Sequence, residues 1–285
     1  MKFDENLASI HAYLCADGYV IKNPLTQKQK YYHIGFRNTN FILLKDFQRR
    51  FEKVFEIKPR LIEGERCIIQ NKELYKKLIE KFKSFYSKEW KMPKLNKGLS
   101  KIWLRAFFDC ESWVFCKSHQ NRHIGLDSIN EKGLDQIIQT LDNLEIKTIK
   151  KINKKRKIFR IFIYGKENLK RFQKEIGFLH PEKSKKLKIV IDNFVDYNWD
   201  VNKNNVMKII KDKARIKKPH YIRIISKEEM NLKNIAKILK GLHNITCMVY
   251  KRVNGLGTIY YELNINKVNH IKKLIGLKVI PNILR

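Results

Sequence analysis

A membrane-spanning helix needs an apolar run of about 18 residues, and the 285-residue sequence has none that approaches this length. Its amino terminus continues directly into the charged segment MKFDEN, which is unlike a secretory leader. The five cysteines form no Cys-x-x-Cys pair and lie mostly in apolar segments: Cys15, Cys67, Cys110, Cys116 and Cys247. They are expected to be buried free thiols in a reducing compartment, which favours a cytoplasmic protein.

Acidic residues are also scarce relative to basic ones. The chain has 61 Lys and Arg against 28 Asp and Glu, which gives a formal charge of +33. Many individual lysines are expected to be ordinary solvated side chains, but the imbalance as a whole calls for a polyanionic partner. Nucleic acid fits best, because each neutralised phosphate releases counterions. An anionic membrane fits less well, since no single basic amphipathic helix concentrates the charge.

Two related segments dominate what is present. The segment IHAYLCADG spans Ile10 to Gly18, and a weaker copy, LRAFFDCES, spans Leu104 to Ser112. Each has small residues four apart, which fall on one face of a helix and allow two helices to pack closely. These small residues are Ala8, Ala12 and Ala16 in the first copy, and Ala106 and Cys110 in the second. Each copy ends in one acid, so the packing is predicted to bring Asp17 and Glu111 together.

The first segment resembles the motif helix of the LAGLIDADG homing endonucleases. In single-chain members, two such helices form the interface between two similar halves. The resemblance implies that Asp17 and Glu111 are catalytic carboxylates that bind Mg²⁺ or Mn²⁺. Ser112 departs from the pattern, which has glycine there. Glycine readily supplies a left-handed helix end, so the serine is expected either to destabilise this end by about 1 kcal/mol or to be accommodated by a different cap.

The order of elements after each motif helix is also duplicated. Both segments are predicted to continue as strand, strand, helix, strand, strand, helix. His33, Ile34 and Gly35 recur 90 residues later as His123, Ile124 and Gly125. The sequence therefore predicts an α+β fold with two αββαββα halves, residues 1–96 and 97–197, related by a pseudo-twofold axis.

The pattern returns a third time in residues 198–285. Leu232, Ile235 and Leu239 lie 98 residues after the matching apolar positions of the second half and are predicted to be buried. The segment before them has neither a small-residue stripe nor an ADG-like end. This third repeat is predicted to be a βαββα unit without a catalytic acid, suited to binding nucleic acid or to bracing the halves.

Further site residues follow from the resemblance and from the predicted strands. The segment GFLHPEKSKKL resembles a stretch near the end of the second LAGLIDADG half, where a lysine lies close to the active site, and it points to Lys183. The same segment is equally typical of an ordinary helix start, with Pro181 in the first turn. Strand alternation leaves one sheet face free for nucleic acid, although any single basic residue is more often a generic surface charge. The nucleic-acid-binding candidates are Arg37, Arg60, Arg66, Arg122, Lys150 and Arg160 in the halves, and Lys251 and Arg252 in the third repeat.

The sequence thus favours a monomeric, metal-dependent, site-specific endonuclease acting on double-stranded DNA. Two alternatives remain open. One is a domesticated endonuclease or maturase of the same scaffold, acting on a structured RNA such as an intron, tRNA or rRNA precursor. The other is a nucleic-acid-binding protein that no longer cleaves.

Overall fold

A computed structural model describes residues 3–118, 121–194, 199–217, 221–254 and 258–282. These residues form ten helices and three four-stranded antiparallel sheets, which confirms the α+β class. The chain divides into two compact units, Met1–Phe194 and Val195–Arg285. In the part of the chain that is described, no helix combines the length and apolar character needed to cross a membrane.

The first half has the predicted order of elements. Its four strands form sheet A in the order β1, β2, β4, β3. The elements are α1 (Glu5–Cys15), β1 (Gly18–Lys22), β2 (Tyr32–Arg37), α2 (Phe41–Phe55), β3 (Arg60–Ile62), β4 (Arg66–Gln70) and α3 (Lys72–Phe82).

The second half repeats this topology. Its strands form sheet B in the order β5, β6, β8, β7. The elements are α4 (Lys97–Glu111), β5 (Ser112–Ser118), β6 (Asn121–Ser128), α5 (Glu131–Asn143), β7 (Ile149–Asn153), β8 (Ile158–Tyr164), α6 (Lys166–Glu175) and α7 (Pro181–Asp192). Both halves contribute to one hydrophobic core. The boundary at residue 96 and the pseudo-twofold axis remain predictions.

The two motif helices, α1 and α4, pack against each other inside the first unit. Each begins at a side chain that accepts a hydrogen bond from a backbone N–H of the first turn, Asp4 for α1 and Asn96 for α4. Ala8, Ala12 and Ala106 are all buried. Small residues at these positions let the two backbones approach, as the spacing predicts.

Each half also places an aromatic ring of its first strand over a glycine of its second strand. A Cβ atom on Gly35 would lie 2.4 Å from the ring of Tyr19, and one on Gly125 would lie 2.3 Å from the ring of Trp113. Both aromatic residues stand two positions after the motif acid. The duplication therefore extends from element order to individual packing contacts.

The second unit contains the third repeat and has its own hydrophobic core. The predicted βαββα elements are present, and a helix and a short strand precede them. The elements are α8 (Val206–Lys213), β9 (Arg215–Lys217), β10 (Tyr221–Ser226), α9 (Glu229–His243), β11 (Met248–Val253), β12 (Ile259–Ile265) and α10 (Val268–Gly276). The strands form sheet C in the order β9, β10, β12, β11, which is the topology of sheets A and B. Leu232, Ile235 and Leu239 are fully buried, as predicted.

The cysteine prediction is wrong at one position. Cys15 and Cys67 are buried, and Cys110 and Cys247 are partly buried, but Cys116 is exposed. It belongs to β5 near the end of the strand, beyond Val114, which packs against the core. All five are free thiols.

Candidate active site and nucleic-acid interface

Asp17 lies in the turn between α1 and β1. Asn38, which follows β2, donates its side-chain N–H to the Asp17 carboxylate at 3.0 Å, and the backbone N–H of Arg37 donates to the Asp17 carbonyl at 3.1 Å. The next residue, Gly18, is required by close approach rather than by a left-handed backbone. A Cβ atom there would lie 2.4 Å from Cα of Leu14. The glycine thus allows β1 to begin in close contact with the last turn of the motif helix.

Glu111 is the last residue of α4, and Ser112 forms the alternative cap. The hydroxyl group of Ser112 donates to the carbonyl of Phe108 at 2.5 Å, and its backbone N–H bonds the same carbonyl. Ser112 has ordinary extended dihedral angles, with φ −101° and ψ 165°. The departure from the glycine pattern is therefore accommodated by a local hydrogen bond.

The pKa values of both acids are raised, and burial is the main cause. The pKa of Glu111 rises to about 7, because burial disfavours its charged form and the negative charge of Asp17 adds to this effect. Burial also raises the pKa of Asp17, while hydrogen bonds from Asn38 and Cys110 and the charge of Lys183 oppose the rise. The two carboxylates are thus close enough to interact. Glu111 also lines a cavity of about 240 Å³ with Cys15 and Asp127.

Lys183 lies beside the carboxyl end of α4. Its ammonium group donates to the carbonyls of Phe108, Asp109 and Cys110 at 3.2, 2.6 and 3.3 Å. These carbonyls belong to the last turn of the helix, where backbone acceptors otherwise lack partners. Burial lowers the pKa of Lys183, and the nearby negative charges, including those of Asp17 and Glu111, work against the decrease.

Asp109 is a site residue that sequence reasoning missed. It is 1% exposed, and its carboxylate accepts hydrogen bonds from the backbone N–H groups of Leu179 and His180, just before α7. Burial raises its pKa to about 6, and these two hydrogen bonds oppose the rise. Asp109 and Lys183 therefore join α4 to the start of α7 in both directions, and this pair is called the α4–α7 clasp below. The only sequence signal was an acid inside an otherwise apolar motif helix.

The oxygen ligands of the pair fit a hard divalent cation. Mg²⁺ prefers carboxylate oxygens, and a cation between Asp17 and Glu111 would offset both the burial of their charges and the repulsion by Asp17 that adds to the raised pKa of Glu111. Among the described residues there is no cluster of three or more His, Cys, Asp and Glu side chains able to hold a metal. Asp17 and Glu111 would therefore be the acidic ligands, and the remaining ligands would be backbone carbonyls, water or substrate.

The outer face of sheet A, opposite the core, carries three of the predicted basic residues. Buried Phe36 and Cys67 point to the core, so strand alternation turns Arg37, Arg60 and Arg66 outward. Arg37 and Arg66 lie directly opposite each other on β2 and β4. Like charges so placed repel, and the carboxylate of Glu65, 3.2 Å from Nε of Arg66, offsets part of this repulsion. Arg37 and Arg66 line a surface depression of about 370 Å³, together with Tyr19, Ile21, His33 and Ile68.

Sheet B departs from the prediction at two residues. Arg122 shares the core-facing side of β6 with Ile124, is 7% exposed, and has its guanidinium 5.0 Å from the ring centroid of Phe194. Lys150 pairs in register with buried Ile161, and its ammonium group bonds Glu131 at 2.9 Å and Asp135 at 2.6 Å. Neither side chain projects from the outer face. One position further along, Lys151 pairs with Arg160, which places it on that face.

Arg160 does lie on the outer face of sheet B, but a carboxylate engages it. Its Nε and Nη2 donate to both oxygens of Asp127, each at 2.5 Å. Its guanidinium also lies 5.3 Å from the ring centroid of Trp113. A phosphate would have to compete with Asp127 for this side chain.

In the third repeat, Lys251 and Arg252 point to opposite faces of sheet C. Arg252 pairs in register with Tyr260, while Lys251 pairs with Tyr261. Val249, on the same side as Lys251, packs against the core. Arg252 therefore shares the outer face, whereas Lys251 is an exposed residue on the helix-bearing side.

Comparison with known proteins agrees with the motif. The family described as LAGLIDADG-like domain matches residues 100–177, from within α4 to just after α6. This match confirms the resemblance to the family over residues 100–177, which include most of α4; the first motif helix lies outside the matched residues.

The similar solved structures have low sequence identity to this chain, and their TM-scores lie below 0.5. The homing endonuclease I-DmoI in complex with DNA and Mn is 14% identical, with a TM-score of 0.46 over 60% of this chain and 97% of that one. The homing endonuclease I-WcaI bound to its DNA recognition sequence is 15% identical, with a TM-score of 0.45 over 66% and 88%. The N-terminal LAGLIDADG domain of DUF199/WhiA is 15% identical, with a TM-score of 0.41 over 61% and 81%. No curated protein sequence matches the chain.

Proposed function

We propose that this protein is a metal-dependent, site-specific endonuclease that hydrolyses phosphodiester bonds in double-stranded DNA. The observation that carries the proposal is the electrostatic interaction of two partly buried carboxylates, Asp17 and Glu111, at the ends of two packed motif helices. Two carboxylates repel each other, so acidic side chains usually stay apart. Their approach is explained if they hold a cation together.

The residues have distinct roles in this proposal. Asp17 and Glu111 hold the divalent ion, which when bound supplies an activated water and charge stabilisation for the leaving oxygen. Asn38 fixes the orientation of Asp17 through its hydrogen bond. Lys183, held by the end of α4, places a positive charge near the phosphate that is to be cleaved.

The outer face of sheet A supplies the binding surface. A β-ribbon can enter the major groove of DNA, where Arg side chains contact phosphates and base edges. Arg37, Arg60 and Arg66 share the orientation that this role requires. The +33 charge gives the long-range attraction.

The test uses a plasmid library of randomised duplex sites, incubated with the protein and Mg²⁺ and sequenced at the cleaved ends. Cleavage is expected to leave 5′-phosphate and 3′-hydroxyl ends. The variants Asp17→Asn and Glu111→Gln are expected to lose cleavage and to retain binding. Glu182→Gln is the matched control, because it removes one exposed negative charge one residue before Lys183. Normal cleavage by both motif variants would show that the chemistry lies elsewhere.

One observation favours a second candidate, a nucleic-acid-binding protein that does not cleave. With a pKa of about 7, Glu111 is protonated in a large fraction of molecules at neutral pH unless a cation is bound, and Lys183 already supplies a nearby positive charge. This candidate predicts binding without cleavage of duplex DNA at any Mg²⁺ or Mn²⁺ concentration. The same assay on structured RNA tests the RNA-processing alternative, which requires cleavage of RNA only.

A further inference from the structure

The outer face of sheet C is a surface that the proposed endonuclease site does not use. Ile222, Ile224, Leu263 and Ile265 are fully buried in the core of the second unit. Alternation and strand register therefore place the intervening side chains on the opposite face. They include Arg215, Arg223, Tyr250, Arg252, Glu262 and Asn264.

This face differs from those of sheets A and B. In those sheets an aromatic ring covers a glycine at the centre of the second strand. In sheet C the corresponding position of β10 is Arg223, and the residue opposite it on β9 is Arg215. The duplicated packing has thus been replaced by a pair of arginines.

Aromatic and guanidinium groups lie side by side here. The guanidinium of Arg252 is 5.4 Å from the ring centroid of Tyr250. Tyr250 is 38% exposed, and the side chain of Arg252 is 50% exposed. Rings and guanidinium planes both stack on nucleobases, whatever the base, because every base has a π-face.

Glu262 organises the arginines from within the face. Its side chain is 5% exposed, and its two oxygens bond Arg223 at 2.8 Å and Arg252 at 3.4 Å. Two arginines share one carboxylate, so the group keeps a net positive charge. The surrounding unit has the same bias, with 19 Lys and Arg against 6 Asp and Glu in residues 195–285.

Two polar atoms on the face have no hydrogen-bond partner among the described residues. They are Oδ1 of Asn264, a residue that is 7% exposed, and Nε of Arg223, and these residues are directly opposite each other in register. An unpaired buried acceptor and donor are unfavourable for folding. Both atoms are inaccessible in this conformation, so they can pair with a ligand such as a nucleobase edge only if the two side chains turn outward.

We propose that the outer face of sheet C binds an unpaired stretch of nucleic acid. Bases stack on Tyr250 and on the Arg252 guanidinium, and phosphates lie near the arginines. An intact duplex fits less well, because its bases already stack on one another and are not available to the tyrosine. The inference does not depend on cleavage by Asp17 and Glu111.

The experiment measures fluorescence anisotropy of the full-length protein with a labelled single strand of about 12 nucleotides, in EDTA, so that metal-dependent cleavage is absent. DNA and RNA strands of the same sequence are both used. Tyr250→Ala is expected to weaken binding roughly 5- to 100-fold, through loss of stacking. Tyr250→Phe, which keeps the ring, is expected to bind as the wild type does. Affinity for a duplex of equal length is expected to be unchanged in both variants.

A matched pair of variants distinguishes binding by the outer face of sheet C from nonspecific attraction by positive charge. Arg252→Gln and Lys251→Gln each remove one positive charge from adjacent positions of β11, but on opposite faces. The first is expected to weaken single-strand binding several-fold, and the second by less than about twofold. Equal effects of the two, or equal losses for duplex and single strand, would overturn the proposal. Ultraviolet crosslinking with peptide mapping is expected to label the Tyr250 peptide, and labelling confined to the first unit would also overturn it.

The two proposals fail independently. Loss of DNA cleavage in Asp17→Asn, with single-strand binding that still depends on Tyr250, supports both. A wild-type protein that binds single strands through Tyr250 but cleaves nothing retains this inference and refutes the endonuclease.

Discussion

Glu111 combines burial with three charged neighbours: Asp17 and Asp127 raise its pKa, and Lys183 lowers it. As pH increases, the unfolded chain ionises this group near 4.5, while the folded protein keeps it protonated until about 7. The group therefore destabilises the fold progressively across this window, and its effect is constant above it.

We predict that wild type loses stability relative to Glu111→Gln as pH rises from 4.5 to about 7, by up to about 3 kcal/mol. Urea unfolding at a series of pH values, in EDTA, measures the difference. The glutamine variant keeps the size of the side chain and removes its titration. If the difference in unfolding free energy between the two proteins does not change with pH, the raised pKa of Glu111 is refuted.

The α4–α7 clasp makes a second prediction at this scale. Lys183→Met leaves three helix-end carbonyls without their donor, and Asp109→Ala leaves two backbone N–H groups without their acceptor. Each change is expected to destabilise the protein by about 1–3 kcal/mol, and the double variant by less than the sum. Urea unfolding checks this, with Lys186→Met, an exposed lysine one turn away from the site, as control. Equal effects at positions 183 and 186 would contradict the clasp.

At the scale of elements, the crossing of α1 and α4 contains one buried polar link. Trp103 donates its indole N–H to Nδ1 of His11 at 3.0 Å. His11 is 2% exposed, and its ring also packs against Phe82 and Phe85. The link fixes which turns of the two helices face each other, because an unmatched indole N–H in this core would be unsatisfied.

We predict that acid destabilises the folded protein through His11. Burial lowers the pKa of His11 from 6.5 to about 3, so the unfolded chain takes up a proton below pH 6.5 while the folded protein does not. Stability is therefore lost as pH falls below 6.5, by up to about 1.4 kcal/mol per pH unit from this group. His11→Phe is expected to reduce the slope of unfolding free energy against pH. An unchanged slope would show that His11 is protonated in the folded state.

Sheet registers decide which basic residues are available at the scale of elements. Arg37, Arg60 and Arg66 face outward from sheet A, whereas Arg122 and Lys150 face the core side of sheet B. A shift of one residue exchanges the faces, which is why Lys151 replaces Lys150 on the outer surface.

For the whole molecule, the charge of +33 predicts a steep dependence of binding on salt. Several phosphate contacts should each contribute to the slope of log affinity against log salt, at about 0.9 per contact on duplex DNA. Fluorescence anisotropy between low and moderate salt measures it. A nearly flat dependence would show that the lysines are solvated and do not form a binding surface.

Deletion of residues 206–285 tests the role of the third repeat. The first unit has its own hydrophobic core, so the truncated chain is expected to fold. Binding of long or partly unpaired targets is expected to weaken, while cleavage of bound duplex at saturating protein is largely retained. Thermal melting and a binding titration are measured together. A folded truncated chain with unchanged binding would refute a recognition role, and an unfolded one would indicate a brace.

Local patterns in the sequence determined much of this protein. The small-residue spacing identified α1 and α4, and the repeats at intervals of 90 and 98 gave the element order. Leu232, Ile235 and Leu239 were assigned to the core because helix periodicity depends only on nearby residues.

Tertiary structure alone decided the contacts between distant segments. The bonds from Leu179 and His180 to Asp109 span about 70 residues, and no local pattern encodes them. The pairing of Arg160 with Asp127 and the outward turn of Lys151 depend on cross-strand register. Gly18 is needed because a Cβ atom there would clash with Cα of Leu14. This close approach exists only once α1 and β1 are packed together. Periodicity fixes which residues share a face, but only packing decides what that face meets.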